Sequence, residues 1–436
     1  MHVSDLWSIR GAGSATRAWR RPNGHPDLCP VSLAMATVWL WLSGVVGCAN
    51  STAPDALALP TAPQLAAGSS HTCLLDTDGE VTCWGRWGGV PGQPAAATLP
   101  VKVTPGDTSL RFVLIAAGTV TCGLTSGGAA YCWGYNLHGE IGDGTRSARD
   151  SPTPVATDLR IVGLAVGVYV ACGIARDGRA YCWGRADYGA LGTGAAREGT
   201  DQVHPVPVAG NVRFSGLVGR WVFCGLAAQG RAYCWGAASG SFDPDSWREP
   251  GDCGDTYYLL FQGRGCAAPT PVAGALEFAS LGSGGGTMCG VTSAGAAHCW
   301  GEGWLGTLGN GQAGSGVHAV APVAVAGGSS FRQVSLGASH VCGIAMSGEA
   351  FCWGDDFRGQ LGNGADSSAG GGVPIAAAPV PVAGGHLFTS LATGDAHTCG
   401  LTTSAEVWCW GVGTEGQLGR PEQLGDSNVP VRVTLP

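Results

Sequence analysis

Cysteine has the most chemistry open to it in this chain of 436 residues, and 18 are present. Fourteen recur at one spacing: Cys73 with Cys83, Cys122 with Cys132, Cys172 with Cys182, Cys224 with Cys234, Cys289 with Cys299, Cys342 with Cys352, and Cys399 with Cys409. Each second cysteine is followed by Trp-Gly, from Trp84-Gly85 to Trp410-Gly411. Thiols at this density are either oxidised in pairs or bound to metal. Structural zinc draws four ligands from closely spaced pairs that converge. Pairs spread over seven separate repeats do not converge, so disulfides are expected. Once Cys29 and Cys48 are set aside, Cys253 and Cys266 remain, and an eighth bridge is predicted between them. His71, His340 and His397 each stand two residues before a first cysteine, where three imidazoles could meet a metal. Val120, Val170, Val222 and Thr287 fill the same place in other repeats, which favours a structural role and no metal. No Ser-x-Lys, Gly-x-Ser-x-Gly, His-Glu-x-x-His or Gly-Lys-Ser/Thr motif occurs, so no catalytic residue and no cofactor is predicted.

The elements that must carry these cysteines are hairpins. Thr72-Cys73-Leu74-Leu75, a turn at Asp76-Thr77-Asp78-Gly79, and Val81-Thr82-Cys83-Trp84 form one, with the two cysteines opposite each other. Their Cα atoms are expected about 4.5–5.5 Å apart, within disulfide reach. Alternation places Thr82, Tyr131, Tyr181, Tyr233, His298, Phe351 or Trp408 on the same face as the Trp that follows the cysteine. Val81, Ala130, Ala180, Ala232, Ala297, Ala350 or Val407 share the opposite face with the sulfur. A sheet with one large and one small face packs large against small between neighbours, as blades around an axis do.

After the hairpin the better copies read Gly-x-Leu/Ile-Gly-x-Gly, as in Gly139-Glu140-Ile141-Gly142-Asp143-Gly144 and Gly359-Gln360-Leu361-Gly362-Asn363-Gly364. A Pro-Val strand follows, such as Pro205-Val206-Pro207-Val208. Over about residues 64–436 these repeats resemble the RCC1, or alpha-tubulin-suppressor-type, family, which implies an all-β, seven-bladed β-propeller. The chain ends on a Pro-Val strand at Val429-Pro430-Val431 with no hairpin after it, and the first hairpin has no clear Pro-Val strand before it. The C-terminal strand is therefore expected to join the first blade and close the ring.

Arg17, Arg20 and Arg21 precede an apolar run from Val31 to Val46, too short for a membrane span and suited to a signal-peptide core. The run ends in Val45-Val46-Gly47-Cys48, which resembles the lipobox of bacterial lipoproteins. The resemblance implies a leader over residues 1–47, lipid on Cys48, and anchorage at the cell envelope, at an outer membrane or cell surface. Residues 48–63, small and Pro-punctuated, read as a flexible tether to a propeller at 64–436.

Repeat four carries an insertion at 237–268 that holds Trp247, Tyr257, Tyr258 and Phe261 beside Asp243, Asp245, Glu249, Asp252 and Asp255. A stapled, aromatic loop is the expected contact surface. The acids lack the ordered spacing of a calcium loop. A formal charge of −8, with 12% charged residues, disfavours a nucleic-acid partner. The expected function is a monomeric, non-catalytic scaffold for a protein or glycan, tied to the membrane through its lipid alone. Two alternatives are guanine-nucleotide exchange, as the RCC1 resemblance implies, and an extracytoplasmic enzyme with an axial site.

Overall fold

The computed structural model describes residues 57–87, 97–104, 106–194, 200–236, 266–365, 374–420 and 424–436. Cys29, Cys48, Cys253, the leader, most of the tether and the loop aromatics Trp247, Tyr257, Tyr258 and Phe261 lie outside them. The described part of the expected tether is held in place: Leu57 donates its N–H to Ser126 O at 2.8 Å and packs on the core beside blade II.

Seven antiparallel four-stranded sheets form, each from one continuous stretch of chain, here numbered blades I to VII. Blade I comprises Gln64–Ala67, His71–Leu75, Val81–Gly85 and Ala97–Lys102. Blade VII comprises Phe388–Thr393, His397–Thr402, Val407–Gly411 and Ser427–Arg432. The two middle strands are the expected hairpin, with Cys73 opposite Cys83 and Cys399 opposite Cys409 in register. All seven repeat pairs are disulfides, with Cα atoms 4.0–4.1 Å apart. That is tighter than expected and lies beyond the close side of the narrow antiparallel pair. Each bridge closes a short loop and contributes about 2–3 kcal/mol.

The expected closure by a shared strand is incorrect. Ser427–Arg432 pairs with Val407–Gly411 of its own blade, Val431 facing Cys409. Blade I has its own Pro-Val strand, Ala97–Lys102, with Val101 opposite Cys83. The ring closes instead by packing. Trp84 of blade I is fully buried in a cluster with Cys399, Val407, Cys409, Leu418 and Val433 of blade VII's side. The same large-on-small contact sets Trp183 of blade III on Cys122 and Cys132 of blade II. Sheet hydrogen bonds thus stay within blades, and face burial joins one blade to the next.

In blades II, V, VI and VII the Gly-x-Leu/Ile-Gly segment receives the next blade's indole. Trp183, Trp353 and Trp410 donate Nε1–H to Glu140 O, Thr307 O and Gln360 O at 2.8–3.0 Å, and Trp84 donates to Gln417 O at 2.9 Å. A Cβ on Gly142 or Gly362 would meet the incoming indole at 2.7–2.8 Å.

The first strand of each blade lines the axis, and backbone bonds link its outgoing loop to the next blade. Ser69 N–H donates to Gly118 O (3.0 Å), Thr119 to Gly167 (3.2 Å) and Val168 to Arg220 (2.8 Å). Gly285 donates to Gly337 (3.2 Å), Ala338 to Asp395 (3.0 Å) and Asp395 back to Ser69 (3.3 Å). Between blades IV and V a side chain serves, Ser283 Oγ donating to Val222 O at 2.7 Å. A Cβ on Gly118 would stand 2.3 Å from Gly167 O, and one on Gly167 would stand 2.2 Å from Arg220 O. The recurring glycine a few residues before each first cysteine is therefore a steric requirement of the ring.

Candidate functional site

The loops joining strands one to two and three to four of every blade emerge on one face. In blade II the second of these loops is tied by Asn136, whose Nδ2 donates to Ser147 O at 2.9 Å and whose Oδ1 accepts Ile141 N–H at 2.9 Å. Ile141 is driven inside, while Leu137 is left 57% exposed. Asp356 repeats the device in blade VI by accepting Leu361 N–H at 3.0 Å. There Phe357 stands 64% exposed, and the equivalent Trp304 of blade V is 53% exposed. All three follow their blade's buried Trp by four residues, so one loop geometry presents apolar side chains on one face.

Blade IV's insertion leaves from the same face: Gly236 and Cys266, which bound it, are register partners. Cys266 begins the outer strand Cys266–Pro271 and is buried, so residues 266–268 belong to the blade and not to the insertion. The predicted partner Cys253 and the aromatic loop residues lie outside the described residues, as noted above.

Closer to the axis, the three histidines stand on consecutive blades VI, VII and I, as expected, and each bonds to the next blade. His340 Nε2 lies 2.8 Å from Thr398 Oγ1, His397 Nε2 2.9 Å from Thr72 Oγ1, and His71 Nε2 2.7 Å from Thr121 Oγ1. Each ring covers the glycine three residues before it, so that a Cβ on Gly337 or Gly394 would touch it at 2.0–2.3 Å. Burial holds His71 down at about 4 and His340 and His397 at about 3, leaving all three neutral. Their arrangement is that of inter-blade struts.

The axis itself encloses about 230 Å³, lined largely by small and aliphatic first-strand residues such as Ala66, Ala116, Val166 and Leu336. At its mouth Arg220 reaches across from blade IV to the Asp395 carboxylate on blade VII. Burial lowers the Arg220 guanidinium to about 10, and its Nε has no hydrogen-bond partner. Sequence reasoning missed this pair, which sits in two loops of unremarkable composition.

A second missed group lies on blades II and III of the same face. Tyr135 and Tyr169 stand 6.0 Å apart, His138 lies 5.2 Å from Tyr169, and Arg185 lies over the rings of Tyr169 and Tyr188 at 5.9 and 5.3 Å. Beneath them Glu140 accepts His138 N–H at 2.8 Å in a slot that Gln360 and Gln417 fill elsewhere, and burial pushes its carboxyl up to about 6. The available signal was a tyrosine, Tyr169, where other repeats carry Ser70, Thr119 or Ala396.

Two family models, each described as a regulator of chromosome condensation (RCC1) repeat, match residues 64–86, 331–360 and 388–417, and residues 177–225, 347–401 and 404–436. The chain carries RCC1 repeats. Its repeats are similar to those of the probable E3 ubiquitin-protein ligase HERC3 of Homo sapiens, 35% identical over 105 residues, which are 24% of this chain and 9% of that protein. Similarity to the E3 ubiquitin-protein ligase HERC2 of Mus musculus is 28% over 416 residues, 92% of this chain and 8% of that protein. The RCC1-repeat chain thus spans less than a tenth of the length of these curated relatives. Human WBSCR16 superposes with a TM-score of 0.67 at 18% identity, over 82% of this chain and 94% of that one. Prp20p of Saccharomyces cerevisiae, described as binding Gsp1p and histones, gives 0.67 at 18% identity over 87% and 88%. At that identity the likeness is one of fold, and it agrees with the seven RCC1-type blades.

Proposed function

We propose that this RCC1-repeat propeller is a non-catalytic binding scaffold, exported and anchored at the cell envelope by lipid on Cys48, which holds a protein or glycan on its loop-bearing face. The observation that carries the reading is the presentation of Leu137, Trp304 and Phe357 on the face from which the blade IV insertion departs. Large exposed apolar side chains around an insertion have the anatomy of an interface, where aromatic anchors dominate the energetics. Export is supported by the seven buried cystines, which need an oxidising compartment to form.

The test is surface cross-linking and affinity capture from intact cells with the wild type and a Trp304→Ser/Phe357→Ser double variant. Both side chains are exposed, so stability should change by less than about 0.5 kcal/mol. Capture of the wild-type partner should fall at least about tenfold, the loss of a single anchor of about 1.4 kcal/mol. Equal capture by both proteins would refute a role for this face.

A further inference from the structure

We infer that the cavity walled by the tyrosine group of blades II and III is a sugar-binding pocket that takes one neutral pyranose residue. This rests on reading the loop-bearing face as a binding surface, and it concerns different residues from the Trp304 and Phe357 patch.

A cavity of about 300 Å³ opens between the loops of blades I, II, III and VII, with Tyr135 and Tyr169 on one side and Arg86 and Glu415 on the other. That is the lower end of the range for small-molecule sites. Both tyrosines are half-buried, so each ring has a fixed position and an open portion. Ser69, Ser70 and Thr119 also line the cavity. Arg86 Nη1 donates to Glu415 Oε1 at 2.9 Å, so the one cationic and the one anionic lining group neutralise each other.

The backbone supplies a second, independent observation. Tyr169 has φ 61° and Tyr188 has φ 62°, a conformation that a bulky residue adopts only at a cost. The two other non-glycine residues with positive φ among the described residues, Gln229 and Ala405, lie in hairpin turns where such angles are routine. Tyr169 is in the short loop next to the axis and is held there from several directions. Its N–H donates to Thr119 Oγ1 at 3.0 Å, Arg185 lies over its ring, and Arg185 in turn pairs with Asp187 at 2.9 Å. The strained backbone and its supports place one aromatic ring at the cavity wall.

The lining selects the ligand by exclusion. An anion would need a cation not already paired, and a cation would need an unpaired carboxylate or a cage of rings without a guanidinium. An apolar ligand would bury the Arg86–Glu415 pair and the Ser69 and Ser70 hydroxyls. A pyranose has C–H faces for the tyrosines and hydroxyls that both donate and accept, which matches Ser, Thr, Arg and Glu together.

The experiment is saturation-transfer NMR on the full mature protein with methyl glycosides of glucose, mannose, galactose and N-acetylglucosamine. Each is used at about 10 mM, enough to fill a millimolar site. Sulfate and choline, tested by displacement, serve as the charged alternatives. Transfer to at least one glycoside is expected, with affinity at least about tenfold weaker in Tyr169→Gly. Because glycine accepts positive φ, relief of strain offsets part of the lost ring contacts, and that variant should melt within a few degrees of the wild type. Tyr135→Leu, which keeps the backbone unchanged, should show the same loss. Absence of transfer from all four sugars, unchanged affinity in both variants, or displacement by sulfate or choline would overturn the assignment. A failure here with capture through Trp304 and Phe357 intact would remove the sugar pocket and leave the scaffold reading standing.

Discussion

Replacing Trp84 by alanine is expected to destabilise the protein by about 3–5 kcal/mol, the usual cost of removing a fully buried indole. Trp84 has no exposed surface, sits among Cys399, Leu401, Cys409 and Val433, and donates Nε1–H to Gln417 O. The substitution leaves both a cavity and an unpaired carbonyl. It acts at the junction of blades VII and I, where no sheet ladder crosses and face packing is joined only by single contacts such as Asp395 N–H to Ser69 O and His397 to Thr72. Because Trp183 makes the equivalent contact between blades III and II, Trp183→Ala should cost about the same within ~1 kcal/mol. Denaturant unfolding of the two variants measures this. Native-state hydrogen exchange should show early opening of blades I and VII in the first and of blades II and III in the second. A Trp84→Ala cost below about 1 kcal/mol would mean that the ring is held by something other than face packing.

Mild acid should destabilise the propeller as the pH falls below the ordinary histidine value. In the unfolded chain a histidine binds its proton near its ordinary value of 6.5, whereas burial keeps His71 neutral to about 4 and His340 and His397 to about 3. The folded values are depressed, so this stabilisation is complete above pH 6.5 and is lost as pH falls toward 3–4. Between pH 7.5 and 5 each imidazole should remove about 2 kcal/mol, while Glu140, raised to about 6 in the fold, takes up a proton in the native state and offsets about 1 kcal/mol, so the unfolded state should bind a net two or so more protons. Urea unfolding across that interval gives the proton uptake from its slope. A His340→Gln/His397→Gln double variant should lose most of the slope, because the remaining His71 contribution is largely offset by Glu140, whatever its absolute stability. A flat profile from pH 7.5 to 5 would contradict the neutral, buried struts.

Much of this architecture was legible in the residues because strands alternate with period two. Cys-x9-Cys placed the sulfurs opposite each other, the residues beside them sorted into a bulky and a small face, and Trp183 meets Cys122 and Cys132 as that sorting required. Closure was misread for a physical reason. The first strand of each blade faces the axis, where small residues fit, so Gln64–Ala67 reads Gln-Leu-Ala-Ala and carries no signature. With that strand unseen, the terminal Pro-Val strand seemed to lack a sheet, although Val407–Gly411 lay beside it. Phe112, Phe214, Phe331 and Phe388 were missed as well. Each packs near its blade's Trp at 5.7–5.8 Å over the glycine that follows the first cysteine, a recurrence visible in the repeats. The tyrosine pocket and the Arg220–Asp395 contact are different in kind. They depend on loop conformation, and nothing in the residue type of Tyr169 announces a positive φ.

The most direct test of an exported, anchored binding propeller is intact and peptide-mapped mass spectrometry of the membrane-associated protein, with and without reduction. The expected result is an acylated N-terminal Cys48, with no residues before it, and each Cys-x9-Cys pair recovered as an intramolecular disulfide. An uncleaved leader and free thiols at Cys73 through Cys409 would contradict export and favour the exchange-factor alternative over the anchored scaffold.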